Sequence, residues 1–373
     1  MSRAAQEQEL HPLDLQITRK IRVRSHTDHP TTAHFHAHSQ DRSAEYCIKL
    51  FDTSTLENQK FFQREASLLE RLSHAKVGQS VSMTPEVRLA DATTGILVME
   101  WLNGFSMKSS LFFANCSTGR RNRLLRLSGE WLRQFHEVCG IERKPAEASV
   151  VVGRLQADIN KMTDRERALV LSDGAITSAM ALLNERAPVM DKALVEWGLH
   201  HRDFTPTNLI VSHKGTVVRG IDFGKASADA PVSLDLASFI VRSCDSDANL
   251  QFAGSNIGDL RLKGTIEAVL NGYSQHLSSA DRSWMMWSIL YRSVAKNVSY
   301  CRTGRATVRN TPQRMISHFK RRKVRRLMQV TCDLVYSVLR LFDLISCGFE
   351  EVEALCWRKQ AADIAQSVAY FVE

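Results

Sequence analysis

Long apolar runs are missing from this chain of 373 residues. A membrane-spanning helix needs about 18 or more consecutive apolar residues. The nearest approach, residues 327–345, is interrupted by Asp333, Arg340 and Asp343. Its apolar positions Val330, Leu334, Val338, Leu341 and Ile345 read as the core face of a helix. The opening MSRAAQEQELHPLDL has no apolar centre and does not read as a secretory signal. Eight cysteines are scattered without a C-x-x-C pair, which points to reduced thiols in a cytoplasmic setting. Internal repeats and low-complexity linkers are also absent. Acidic residues are missing from residues 282–332, where thirteen Lys and Arg leave 36 basic against 40 acidic residues in the rest of the chain. The net charge of +9 is therefore regional and implies one anion-facing surface.

What is present fits an ordinary globular chain, with 44% hydrophobic and 24% charged residues, long enough for two or three domains or lobes. Polar–apolar alternation predicts strands over residues 17–25 (ITRKIRVRS), 31–38 (TTAHFHAH) and 44–51 (AEYCIKLF). The intervening SHTDHP and SQDRS have turn chemistry. A helix is predicted over 55–72, then strands over 86–90 and 95–101. Residues 120–138 place Leu124, Leu127, Trp131, Phe135 and Val138 on one helical face. In the helical half one short β element is expected: NLIV, SHKG and TVVRGID read as a hairpin with Gly215 in its turn. Helices resume from Leu234, with a polar break at 301–312. The fold class is α+β, with a lobe boundary near residues 102–104.

The strongest chemical signal is His201-Arg202-Asp203-Phe204-Thr205-Pro206-Thr207-Asn208, followed across the hairpin by Asp222-Phe223-Gly224. The first string fits H-R-D-x-x-x-x-N and the second is D-F-G. Together they resemble the catalytic and metal loops of the protein-kinase-like superfamily. Either alone says little; both in order, bridged by a hairpin, are specific. The resemblance implies a two-lobed kinase-like fold, with a small, mainly antiparallel β N-lobe carrying one helix and a large, mainly helical C-lobe. Residues 1–102 would be the nucleotide-binding lobe and 103–373 the catalytic and acceptor-binding lobe. Asp203 would orient and accept the proton of an attacking hydroxyl, while Asn208 and Asp222 would be oxygen ligands for Mg²⁺ on ATP.

Two upstream residues extend the set. Lys49, in YCIKLF, resembles the V-A-I-K lysine that grips phosphates. Glu65 shares a helical face with Phe61, Leu68, Leu69 and Leu72, where a carboxylate is costly unless paired; the resemblance supplies Lys49 as its partner. Residues 95–104 (GILVMEWLNG) resemble the strand and hinge between lobes, which makes Glu100 and Leu102 the adenine contacts; a plain core strand ending in a turn is the other reading.

The branch indicated is the aminoglycoside phosphotransferase and choline kinase-like group. About 100 residues separate the hinge from Asp203, more than protein kinases place there. No A-P-E follows D-F-G, and Asp235-Leu236-Ala237 resembles the D-L-A whose aspartate braces the catalytic loop. The resemblance spans roughly residues 44–240 and departs from the pattern twice. Arg202 stands where glycine is common, and no glycine precedes Gly78, so a glycine-rich phosphate loop is absent; residues 26–32 take its place. The resulting expectation is transfer of the γ-phosphoryl group to a hydroxyl of a small-molecule or glycan-type acceptor. A lipopolysaccharide-core or glycolipid kinase and a catalytically silent binding module are the alternatives. The basic run FKRRKVRR within residues 302–326 is either a solvated helix face or a contact for an anionic acceptor or membrane surface; it lacks the interleaved aromatics of a nucleic-acid site. His34, His36 and His38 share one strand face and read as solvated rather than metal-binding.

Overall fold

The computed structural model describes residues 15–24, 32–77, 81–114, 117–245, 255–273 and 277–303. The proposed phosphate-loop residues 26–31, the segment from 304 onward with most of the basic run, and the helix expected at 327–345 lie outside them. The first half of the fold holds β1 (Leu15–Arg24), β2 (Thr32–Ser39), β3 (Glu45–Phe51), α1 (Leu56–Ser73), β4 (Lys76–Val77), β5 (Val81–Ser82), β6 (Val87–Asp91) and β7 (Ile96–Glu100). The long strands form one antiparallel sheet in the order β1-β2-β3-β7-β6. The period-2 alternation of β3 divides its side chains between two faces. Ile48 packs with Ala37, Ile96 and Val98 on one face, while Phe51, Leu97 and Met99 join the main core with α1 on the other.

Helix α1 starts at Thr55, whose side chain accepts from the Asn58 N–H at 3.2 Å, a standard N-cap. Its buried face is Phe62, Glu65, Ala66, Leu68, Leu69 and Leu72. The sequence pattern points to Phe61 rather than Phe62 as the core residue. In the structure Phe62 packs edge-on against Phe51 at 5.1 Å, and Phe61 turns toward Gly224.

The chain then crosses into a larger, mainly helical half. This contains β8 (Gly104–Ser106), α2 (Met107–Phe113), α3 (Thr118–Cys139), β9 (Ile141–Pro145), α4 (Ala148–Asn160), α5 (Asp164–Leu171), α6 (Gly174–Met190) and β10 (Leu194–His200). It continues with β11 (Leu209–Ser212), β12 (Val218–Gly220), β13 (Ser227–Pro231), α7 (Ser233–Asp245), α8 (Ser255–Tyr273) and α9 (Ser279–Thr303). The hairpin β11–β12 forms as expected, and β8 joins it as a third strand. A second small sheet, in the order β13-β10-β9, is not foreseen in the sequence. Its β9 strand reads IERKP and carries no apolar alternation; pairing with β10, about fifty residues away, creates it. Among the described residues no helix is long and apolar enough to cross a membrane.

The core beneath the junction is aromatic. Trp131 of α3 is stacked between Phe135 and Phe204, each at 5.6 Å, with Phe223 at 6.3 Å; all four are fully buried. The indole N–H donates to the Met83 carbonyl at 2.9 Å, which fixes the ring's rotation. Gly220 approaches this ring so closely that a Cβ would stand 2.2 Å from Trp131 Cζ2. Held on both faces, the indole has nowhere to move. Gly220→Ala is expected to lower stability by about 1–3 kcal/mol through overpacking, read as a lower urea midpoint at unchanged m-value.

Candidate active site

The H-R-D-x-x-x-x-N residues form the loop from β10 to β11, and D-F-G follows β12. Both loops are tied down by the backbone. The Asn208 N–H donates to the Thr205 carbonyl at 2.9 Å, and the Ile221 N–H donates to the Asn208 carbonyl at 3.0 Å. The hairpin thus brings Asn208 beside the residue preceding Asp222. The Asn208 amide nitrogen donates to the Asp203 carbonyl at 2.9 Å, so its carboxamide oxygen is the atom suited to ligate a cation.

Arg202 and Asp222 adopt φ of 63° and 66°, a left-handed conformation that costs an L-residue about 1–2 kcal/mol. At 202 this explains why glycine suits the position. Arg202 is held there by Asp235, a fully buried carboxylate that accepts from the His201 N–H at 2.7 Å and the Arg202 N–H at 3.1 Å. His200 Nε2 lies 2.8 Å from the same carboxylate and His136 Nε2 3.4 Å. Burial opposes ionisation of Asp235, but His200 and His136 outweigh it and hold the carboxyl far below the usual range. The bracing role expected of Asp235 is therefore seen directly.

The sequence-predicted residues converge from distant parts of the chain. Lys49 Nζ lies 2.6 Å from Glu65 Oε1 and 2.6 Å from Asp222 Oδ1, with Lys49 and Glu65 both buried. Burial disfavours the Lys49 ammonium, but Asp222 and Glu65 more than compensate and raise its pKa. Gly224 faces α1 so closely that a Cβ would sit 2.0 Å from the Phe61 ring, which brings the D-F-G turn against the helix that carries Glu65. Glu100 and Leu102 line an open cleft of about 270 Å³ with Trp101, Asn103, Ile210, Ser212, Val217 and Arg219.

Two contacts were not legible in the sequence. Arg219 of β12 donates to both oxygens of Glu100 at 2.7 Å, clasping the end of β7 to the hairpin. Lys225, directly after D-F-G, lies 3.1 Å from Asp203 Oδ2. Its adjacency to Gly224 was the one available signal. The three strand histidines are all half-buried. His36 contacts Thr18 Oγ1 at 2.6 Å and the Trp101 ring edge-on at 4.6 Å. Among the described residues no group of three or more His, Cys, Asp or Glu is arranged to hold a metal.

His201 is enclosed by Phe135, Phe204 and Phe223, and neither ring nitrogen has a hydrogen-bond partner among the described residues. Burial pushes the pKa of both His201 and His136 down. The folded protein keeps them neutral, while the unfolded chain takes up protons below about pH 6.5. Their stabilising contribution is present above that pH and is lost as pH falls. The melting temperature is expected to decline from about pH 7 to pH 5, with a shallower decline in His201→Gln; a scan of both proteins across that window checks it.

The fold recurs in known proteins. A choline/ethanolamine kinase family protein from Mesorhizobium loti matches at TM-score 0.50 and 13% identity, over 85% of this chain and 92% of that one. An amicoumacin kinase in complex with AMP-PNP, Ca²⁺ and Ami matches at 0.52 and 10%, over 87% and 93%. An aminoglycoside phosphotransferase described as putative, from Ralstonia eutropha JMP134, matches at 0.51 and 11%, over 90% and 98%. At these identities the likeness is one of fold. No curated protein matches. The model of the phosphotransferase enzyme family, APH, runs from residue 32 to residue 268, from the second strand through both catalytic-type loops, and the chain belongs to that family.

Proposed function

We propose that this protein transfers the γ-phosphoryl group of ATP to a hydroxyl of a small-molecule acceptor. The observation that carries the reading is the buried Lys49, bridging Glu65 and Asp222 at 2.6 Å each. A lysine shut from water between two carboxylates is expensive to build unless its charge has a use, and gripping nucleotide phosphates is such a use. An ATP analogue bound in the amicoumacin kinase structure supports the choice of nucleotide.

In this reading residues 1–102 are the nucleotide lobe and 103–373 the catalytic and acceptor lobe. Adenine packs in the cleft against the backbone of Glu100 and Leu102, and Lys49 holds the α and β phosphates with Glu65 fixing its position. Asp203 orients the acceptor hydroxyl and takes its proton. The acceptor oxygen forms the new bond to phosphorus as the bridge to the β-phosphate breaks, and ADP leaves.

A carboxylate (Asp222) and a carboxamide oxygen (Asn208) suit Mg²⁺, which prefers oxygen ligands and is commonly held by one or two protein groups plus the phosphates. When bound, Mg²⁺ neutralises phosphate charge.

Ligand-induced stabilisation tests the reading without knowledge of the acceptor. With ATP and Mg²⁺ at about 100 times Kd, stabilisation of about 2.7 kcal/mol is expected in the wild type. It should disappear in Asp222→Ala and persist in Asp203→Ala, whose phosphoryl transfer is abolished. A wild type that shows no shift would leave a kinase-like binding module that does not use nucleotide.

A further inference from the structure

Lys49 is already shared between two carboxylates, Glu65 and Asp222. No glycine occurs in the first 77 residues, so no glycine-rich loop brings backbone N–H groups close to phosphate there. A triphosphate needs a further cation at its reacting end. Lys225 is the lysine in contact with Asp203, at 3.1 Å from Oδ2. Both side chains are about one-third exposed, 37% and 33%, so the pair faces solvent rather than core.

The position follows from the reaction geometry. A general base must lie about 2.6–3.2 Å from the hydroxyl it deprotonates, and that hydroxyl about 3–3.5 Å from phosphorus. An ammonium already touching the base is therefore within a side-chain rotation of the oxygens on the phosphoryl group being transferred. A partly exposed ion pair is worth little, so giving up the Asp203 contact for a phosphate costs little.

We propose that Lys225 is a catalytic residue that binds the γ-phosphate, leaving Asp203 for the phosphoryl oxygens when nucleotide enters. In the resting protein it occupies the base; in the loaded protein it releases Asp203 for the acceptor hydroxyl and offsets the charge of the group in transit. The proposal rests on the phosphotransferase reading above and adds a residue that the kinase-like motifs do not name.

Calorimetric titration of AMP-PNP and of ADP, each with Mg²⁺, into wild type, Lys225→Ala and Lys225→Arg tests it. A contact confined to the γ-phosphate weakens AMP-PNP binding by about tenfold or more in Lys225→Ala. ADP binding should stay within about twofold of wild type, and Lys225→Arg should recover most of the AMP-PNP affinity. Melting temperatures of the two variants confirm that they are folded. Equal effects on both nucleotides, or none on either, would overturn the assignment while leaving the phosphotransferase reading in place. A wild type that binds neither nucleotide would overturn both.

Discussion

The buried ammonium of Lys49 is the constraint around which the two halves are arranged. A lone charge in the interior is costly, and removing one partner of a buried pair typically costs about 3–5 kcal/mol. Lys49 is neutralised by Glu65 from α1 and by Asp222 from beyond β12. One side chain thereby fixes how the central strand, the N-terminal helix and the D-F-G turn sit together. The cost of burial is met by charges placed 16 and 173 residues away in sequence. Such pairs are weak evidence for stability in themselves; their effect here is to hold the ammonium between β3, α1 and the D-F-G turn.

A second constraint keeps the catalytic-type loop rigid. Asp235 bonds the backbone of His201 and Arg202 and so sustains a left-handed residue immediately before Asp203. Below it, Trp131, Phe135, Phe204 and Phe223 form one aromatic block. Phe204 belongs to the first loop and Phe223 to the second, so the same block anchors both. Positional precision at Asp203 and Asp222 thus comes from the packing and hydrogen bonds beneath the two loops.

The end of β7 is fixed differently, by charge at a half-exposed position. Arg219 reaches Glu100 from the hairpin and ties the last strand of the large sheet to the small three-stranded one. Four carboxylates of the site are thus paired with three cations: Glu100 with Arg219, Asp203 with Lys225, and Glu65 and Asp222 together with Lys49.

The sequence alone determined the local elements and the chemical vocabulary. Alternation in EYCIKLF makes β3 a strand, and the 3.6-residue period makes α1 and α3 helices, because burial of one face acts on neighbours in sequence. H-R-D-x-x-x-x-N and D-F-G were legible because both loops carry their catalytic-type side chains within a few residues and are joined by a short hairpin. The resemblance supplied Lys49 for Glu65 and Asp235 for the catalytic-type loop, but other pairings between distant segments were not legible. The β9–β10 sheet, the Arg219–Glu100 clasp, the turn of Phe61 toward Gly224 and the contact of Lys225 with Asp203 leave no periodic trace, because each depends on which surfaces meet after the elements have formed. Tertiary structure therefore decided the pairing of charges, since Coulomb energy and desolvation depend on distances in space that spacing along the chain does not set.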